Sequence, residues 1–219
     1  MSKLLVYRQG NITQDKFCNL STYLPKGALM IFNNTKVIQA RMFFRKETGA
    51  QIEIFLLEPV LPADYEQMFQ ARKNCSWYCL LGNLKKWKEG ELSRIVSFGN
   101  KEVTVCVSKS EQHQTGYRID FSWNDEIISF AEIIDAMGEL PIPPYLNRNT
   151  EESDKTTYQT VYSKIKGSVA APTAGLHFTE RVLNSIDNAG IIRDELTLHV
   201  GAGTFKPVKS EEISGHDMH

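Results

Sequence analysis

Short alternating strands separated by turn residues occupy residues 49–123, and this pattern constrains the fold more than any other. Residues 51–56 begin with polar and apolar side chains in alternation, as in a strand with one buried face. Residues 77–81, 103–107 and 117–121 continue the series, with glycine-containing turns between them. Short strands with regular turns predict a small antiparallel barrel or sandwich.

The segment before these strands predicts two extended pieces. Residues 28–32 form an apolar run that predicts a buried strand, and the turn residues Asn33, Asn34 and Thr35 end it. Residues 37–38 and 40–44 predict the second extended piece. A segment this short that ends in an extended piece is not expected to form a domain alone.

Two helices and a late strand are predicted after the alternating region. Asn124 is a suitable N-cap for a helix with apolar residues at helical spacing and a stop at Gly138. Thr179 caps a second helix that ends before Gly190. Residues 195–200 alternate and predict a strand.

The simplest topology joins the two ends of the chain. We predict an α/β (mixed α+β) domain made of residues 1–48 and 134–219. An antiparallel β-barrel-like domain, residues 49–133, is predicted to be inserted between them.

Composition narrows the functional classes. The 25 basic and 26 acidic residues give a formal net charge of −1, which does not predict nonspecific polyanion binding, although a local basic patch can still bind RNA. No apolar run approaches the ~20 residues that span a bilayer, and the first residues lack a signal-peptide pattern. Cys75 and Cys79 lack the further ligands of a zinc site. We expect a cytoplasmic protein with no membrane association and no metal.

Small residues dominate residues 167–180, just before the second predicted helix. A backbone with few side chains can approach a ligand closely, and free N–H groups at a helix start favour anions or polar edges. The spacing matches neither a P-loop nor a dinucleotide fingerprint. His177 lies at the end of this loop, and both a functional role and a structural or solvated one remain open for it.

Residues 197–208 predict that His199 projects from a strand that ends in Gly201-Ala202-Gly203. A polar strand residue beside a glycine-rich turn is a common way to present chemistry at the carboxyl end of a strand. On its residues alone, the stretch favours the alternative, in which His199 pairs with a neighbouring backbone group.

Five stretches, in order along the chain, resemble the S-adenosylmethionine:tRNA ribosyltransferase-isomerase family of the queuosine pathway. They are 28–38, with an Asn-Asn-Thr-Lys motif, 140–148, which is rich in proline, 158–162, 171–179 and 197–205. Gln39 stands where the family usually has proline, and Ile142 where it usually has leucine. Both ends of the chain resemble points inside the family's length, so the resemblance implies truncation at both ends and an incomplete α/β domain.

The resemblance implies a reaction and its partners. The family transfers and isomerises the ribosyl moiety of S-adenosylmethionine onto 7-aminomethyl-7-deazaguanine in tRNA, giving epoxyqueuosine and releasing adenine and methionine. The expected partners are therefore tRNA carrying the 7-deazaguanine precursor and S-adenosylmethionine as cosubstrate, with no metal or redox cofactor and a monomer at full length. A noncatalytic tRNA- or RNA-binding fragment is the alternative.

The reaction indicates roles for residues in the matching stretches. A proton leaves the ribose carbon beside the sulfonium and the departing adenine needs one, so His177 and His199 are the candidate base and acid, in either order. Ring faces for the cationic, aromatic cosubstrate are expected from Tyr145, Phe178 and Phe205, which otherwise belong to the core. The cosubstrate-binding candidates are Tyr145, Pro172, Thr173, Ala174, Gly175, Gly201, Gly203 and Thr204. The tRNA-binding candidates are Lys36, Arg41, Arg148 and Lys166.

Overall fold

A computed structural model describes residues 2–113, 116–142, 146 and 148–201, which form a mixed α/β structure made mostly of strands. The strands are β1 Lys3–Arg8, β2 Asn11–Lys16, β3 Leu29–Asn33, β4 Thr35–Val37, β5 Arg41–Arg45, β6 Gln51–Leu61, β7 Asn74–Gly82, β8 Leu92–Phe98, β9 Lys101–His113, β10 Gly116–Trp123, β11 Gly138–Glu139, β12 Ile165–Ser168 and β13 Ile192–Leu196. The α-helices are α1 Tyr65–Gln70, α2 Phe130–Met137, α3 Asp154–Thr157 and α4 Glu180–Asn188. Short 3-10 helices span Phe17–Tyr23, Leu84–Lys86 and Thr173–His177.

Seven strands form one antiparallel sheet in the order β11-β5-β6-β7-β10-β9-β8. The sheet curls, and this brings β8 near β5. Arg94 on β8 donates hydrogen bonds to the carbonyls of Phe43 on β5, at 3.1 Å, and of Met137, at 3.3 Å. This curled sheet confirms the predicted antiparallel strands and the mixed α/β class. It also includes β5 and β11, which lie outside residues 49–133. The inserted domain and its boundaries stay predictions.

The main core fills the concave side of the sheet, where α2 packs. Phe130 is fully buried, with ring centroids 5.9 Å from Trp77, 5.2 Å from Phe121 and 5.9 Å from Trp123. Burial of each such side chain contributes roughly 1.5–3 kcal/mol. Cys75 and Cys79 on β7 are buried free thiols, and burial raises the pKa of both. In the described ranges no group of three potential ligand side chains is placed to hold a metal ion.

The predicted start of α2 was wrong. The helix begins at Phe130, and Ser129 caps it in a reciprocal pair with Glu132, whose carboxylate accepts from the Ser129 backbone N–H at 2.8 Å. Asn124 instead accepts a hydrogen bond from the Thr104 backbone N–H at 2.8 Å, which ties it to β9. The Asp125 carboxylate holds the next residues in a turn by accepting two backbone hydrogen bonds. One tertiary contact and one local turn therefore delay the helix.

The end of α2 at Gly138 is confirmed, but for another reason than the one predicted. Gly138 is extended, with φ −84° and ψ 158°, and pairs with Met42 as the first residue of β11. A Cβ at this position would overlap the carbonyl oxygen of Gln39. Glycine is needed here because two backbone segments approach closely.

Helix α4 connects the small-residue loop to β13, and both predicted ends are confirmed. Thr179 is the N-cap, its hydroxyl accepting from the Val182 backbone N–H at 3.3 Å, and Gly190 follows the helix at φ +72°. Val182 and Ile186 are buried against residues of the 3-10 helix Phe17–Tyr23 and of β3. The helix thereby places β13 parallel to β3, with Ile192 opposite Leu29.

The predicted strand at 195–200 was displaced. Strand β13 ends at Leu196, so His199 lies beyond the strand rather than on it. The Asn33 side chain takes over the pairing, because its amide donates to the Leu198 carbonyl at 2.9 Å and its oxygen accepts from the Leu198 N–H at 3.0 Å. A side chain in place of a backbone partner ends the ladder at this point. No helix in the described part of the chain is long and apolar enough to cross a membrane.

Candidate active site

The turn after β3 and the segment after β13 are joined by a polar network. Thr35 is buried, and its hydroxyl donates to the Leu198 carbonyl at 3.1 Å. The Thr35 backbone N–H donates to the Asn33 side-chain oxygen, 3.3 Å away. Asn34 accepts from the Thr197 hydroxyl at 2.8 Å. Two stretches that lie far apart in sequence therefore meet at the carboxyl end of β3.

Strand β12 completes this network from the other side. The fully buried Ser168 donates to the Thr35 hydroxyl at 2.7 Å, and its own hydroxyl accepts from the Val200 N–H at 3.0 Å. The Val169 N–H donates to the Val200 carbonyl at 2.7 Å. The backbone on both sides of His199 is therefore fixed by buried polar contacts.

His199 itself rests against an element of the curled sheet. Its ring stacks on Tyr65, with centroids 4.1 Å apart and planes 22° from parallel. Gly167 lies at the edge of the ring, where an added Cβ would overlap Nδ1. Nδ1 is buried and has no hydrogen-bond partner among the residues that the structure describes, so it does not pair with a backbone group there. Burial lowers the pKa of His199, which the charge of Asp64 partly offsets.

His177 has a different environment. It ends the 3-10 helix Thr173–His177 and is exposed, with Nδ1 2.9 Å from the Ser2 hydroxyl. Its ring lies 5.5 Å from that of Phe17. The two candidate histidines thus contact different partners, one at the surface and one half-buried.

The small-residue loop forms a short helical turn before α4. Pro172 precedes this turn, and its carbonyl accepts from the Gly175 N–H at 2.7 Å. Gly175 is buried, and a Cβ there would overlap the Tyr162 hydroxyl. Thr173 and Ala174 are exposed, as is Gly201. Tyr145, Gly203, Thr204 and Phe205 lie outside the described residues.

An aromatic cluster packs beneath this loop. Phe178 is half-buried and makes edge-on contacts with Phe17 at 5.0 Å and with Phe32 at 5.2 Å. Phe32 in turn meets Tyr162 at 4.8 Å. Edge-on pairs of this kind are typical of cores, so the cluster gives the loop a rigid base.

Two of the four predicted tRNA-binding residues lie opposite each other. Lys36 on β4 and Lys166 on β12 are register partners and line a cleft of about 230 Å³. Lys155 of α3 lines the same cleft. Lys166 is paired with Asp135 at 2.5 Å, and Lys155 with Glu152 at 2.9 Å.

The two candidate arginines are engaged in ion pairs. Arg148 makes two 2.7 Å hydrogen bonds to the buried carboxylate of Asp154 and holds the pKa of that group down at about 2. Arg41 lies 2.9 Å from Glu53 and 5.7 Å over the ring of Phe55. Both guanidinium groups therefore bind carboxylates within the fold.

The comparisons with known proteins decide the family. The sequence model of a protein family described as "queuosine biosynthesis protein" matches residues 1–219. The chain belongs to this family.

Relatives of this queuosine biosynthesis chain are longer than it is. It is 40% identical over 203 residues to the S-adenosylmethionine:tRNA ribosyltransferase-isomerase of Trichlorobacter lovleyi, which covers 93% of this chain and 54% of the relative. The enzyme of the same name from Caldanaerobacter subterraneus is 38% identical over 221 residues, covering 100% of this chain and 59% of the relative. A crystal structure of S-adenosylmethionine tRNA ribosyltransferase from Thermotoga maritima matches 87% of this chain and 47% of that one, at 24% identity and a TM-score of 0.29.

The sequence did not predict several residues whose contacts build the candidate site. Tyr65 lies in a connection of the curled sheet and carries no local signal of its contact with His199. Gln159 lies within a recognised stretch, but its side chain pairs with the Val37 backbone in both directions, at 2.7 and 2.9 Å, as a strand would. Ser168 is one of several small residues, and its buried hydrogen bonds to Thr35 and Val200 distinguish it.

Proposed function

We propose that this chain forms part of an S-adenosylmethionine:tRNA ribosyltransferase-isomerase, which transfers and isomerises the ribosyl moiety onto 7-aminomethyl-7-deazaguanine in tRNA. Family membership and the names of the two curated relatives support the reaction. The observation that carries the proposal is the polar network joining Asn33, Thr35 and Ser168 to the backbone around His199. Three stretches from distant parts of the chain are held together there around one imidazole.

His199 and His177 are the proposed proton-transfer residues. The carbon that loses its proton lies next to a positively charged sulfur, which makes the proton removable by a base near neutral pKa. The leaving adenine gains stabilisation from a donor at its ring nitrogen. Two imidazoles are therefore sufficient for both ends of the reaction.

The proposed cosubstrate site is the loop between β12 and α4 together with the residues after His199. Glycines there let the backbone approach a ligand, and the turn at Thr173 leaves exposed backbone groups before α4. The proposed cosubstrate-binding residues remain Tyr145, Pro172, Thr173, Ala174, Gly175, Gly201, Gly203 and Thr204. S-Adenosylmethionine is a cosubstrate in this scheme, and the proposal includes no metal.

Binding of tRNA is proposed to use the cleft between β4 and β12. Lys36, Lys155 and Lys166 line it and supply positive charge for phosphate groups, with Asp135 as the opposing charge. Arg41 and Arg148 are proposed to contact tRNA from the exposed sides of their ion pairs. The proposal keeps the inserted domain at residues 49–133, between residues 1–48 and 134–219. It also includes a monomeric full-length protein in the cytoplasm, where tRNA is modified.

Calorimetry tests this function on the chain itself. S-Adenosylmethionine is titrated into the chain, alone and with tRNA carrying the 7-deazaguanine precursor. The proposal expects saturable binding of the cosubstrate and tighter binding of each ligand in the presence of the other. Binding of tRNA with no effect of S-adenosylmethionine would instead favour the noncatalytic RNA-binding alternative. Binding of neither ligand would overturn both.

A further inference from the structure

We propose that Tyr65 and Gly167 are positioning residues that hold the His199 ring with its N–H on Nε2. The inference rests on the proposed function, in which His199 acts on the cosubstrate. It goes further by assigning His199 the donor role, facing an acceptor such as a nitrogen of the leaving adenine. His177 is then the base.

Tyr65 is itself firmly held. It is the first residue of α1, and the Asp64 side chain caps this helix by accepting from the Gln67 N–H at 2.9 Å. Besides His199, the Tyr65 ring contacts the core. It lies edge-on to the fully buried Trp77, with centroids 6.0 Å apart. The ring that covers His199 is thus anchored in the curled sheet rather than in a free loop.

Gly167 fixes the edge of the same imidazole. Its φ of +152° belongs to a region that other residues rarely adopt, and a Cβ would overlap Nδ1, Cε1 and Cγ of His199. The ring is therefore bounded by Tyr65 on one face and by backbone at the Nδ1 edge. This leaves Nε2 as the nitrogen that can meet a ligand.

The buried Nδ1 determines where the proton sits. A neutral imidazole carries one N–H, and placing it on Nδ1 would bury a donor that has no partner among the described residues. The N–H is therefore on Nε2. Burial lowers the pKa of His199, which favours the neutral ring and donation without a net charge.

Among the described residues, one charged group acts on His199. Asp64 at the start of α1 acts on His199 and raises its pKa, against the larger effect of burial. Glu66 follows in the first turn of α1. On β12 the neighbouring Lys166 is paired with Asp135. Removing the Tyr65 ring should therefore expose the imidazole to water and raise its pKa.

Nuclear magnetic resonance of the full chain, with ¹⁵N-labelled histidine, tests the inference. His199→Gln identifies the His199 signals. In the unmodified chain we expect an unprotonated Nδ1, a protonated Nε2 and a pKa below the usual histidine value. In Tyr65→Leu we expect the pKa to rise toward the usual value and the two tautomers to mix. Tyr65→Phe, the matched control, keeps the ring and should titrate like the unmodified chain.

Two results would overturn the inference. One is a protonated Nδ1 in the unmodified chain, which needs no Tyr65 variant and holds even if Tyr65→Leu fails to fold. The other is an unchanged His199 titration in folded Tyr65→Leu. If the tautomer and pKa match but no S-adenosylmethionine binds, the proposed function fails while the positioning of His199 stands.

Discussion

The core under the curled sheet and the parallel pair β3–β13 differ in how far their apolar side chains are exposed to solvent. Where α2 packs on the sheet, the Phe130 ring and the sheet rings of Trp77, Phe121 and Trp123 are at most 5% exposed. In the parallel pair, Leu29, Ile31 and Ile192 are each more than half exposed. Arg94 links β8 back to β5 across the curled sheet. The pair has α4 packed against Met30 of β3, and backbone pairing and polar contacts at its carboxyl end complete its support.

This difference locates the candidate site. The segment with His199 leaves the half-exposed pair, is fixed by Asn33 and Ser168, and contacts the Tyr65 ring of α1 beside the sheet. A site placed between a well-packed region and a sparsely packed one can bind large substrates and still hold one reacting group firmly. The following substitutions probe how far the two regions really differ.

The largest effect is expected where α2 packs against the curled sheet. Phe130→Ala should lower the free energy of unfolding by about 3–5 kcal/mol, because it removes a fully buried ring with three aromatic neighbours. Ile31→Ala, at a side chain that is 59% exposed, should change it by less than about 0.5 kcal/mol. Urea unfolding measures both. Equal losses would show that the Ile31 face is covered in solution and would remove the contrast.

A smaller effect is expected where polar contacts replace packing. Asn33→Ala deletes both hydrogen bonds to Leu198 and should cost about 1–3 kcal/mol in urea unfolding. Asn184→Ala on the exposed side of α4 is the control and should be neutral or slightly stabilising. If the two variants unfold alike, the network around Leu198 does not hold this segment.

Acid should weaken both regions through different carboxylates. Asp125 beside the sheet is stabilised by Lys101, and Asp154 near the site by Arg148, which lowers the pKa of each to about 2. Because these values lie below the unfolded value of ~3.9, the stabilisation is present above pH ~4 and is lost as the pH falls toward 2. Asp125→Asn and Asp154→Asn should each flatten the pH dependence of unfolding in that window. A slope unchanged by either substitution would contradict the assigned ion pair.

The smallest effect concerns which region contacts tRNA. Lys36→Ala in the cleft should reduce the slope of log Kd against log salt concentration by about 1, the effect of losing one phosphate contact. Lys85→Ala, in the exposed turn after β7, should leave the slope unchanged. Filter binding at several salt concentrations measures both. The reverse result would place tRNA on the sheet instead.

The sequence predicted those elements whose bounds depend on neighbouring residues in the chain. The alternating strands and both ends of α4 follow from periodicity, the Thr179 cap and Gly190. The start of α2 was missed because Asn124 and Ser129 are both good caps, and the contact of Asn124 with Thr104 on β9 decided between them.

The candidate site was predictable in part for the same reason. The histidines stand out beside small residues, but the neighbours of His199 come from elements far along the chain. Tyr65 contacts His199 from α1, which lies between two strands of the sheet. The Asn33 side chain binds Leu198, just after β13 ends at Leu196. Such contacts depend on how the elements pack, which a short sequence pattern does not record.

The most direct test of the account is adenine release from S-adenosylmethionine in the presence of tRNA carrying the 7-deazaguanine precursor. It is measured on this chain and on a version extended to the length of the curated relatives. We expect release by the extended protein, a loss of about 10²–10⁴-fold in His199→Gln and in His177→Ala, and unchanged release in Lys85→Ala. Near-normal release by folded His199→Gln and His177→Ala would contradict it.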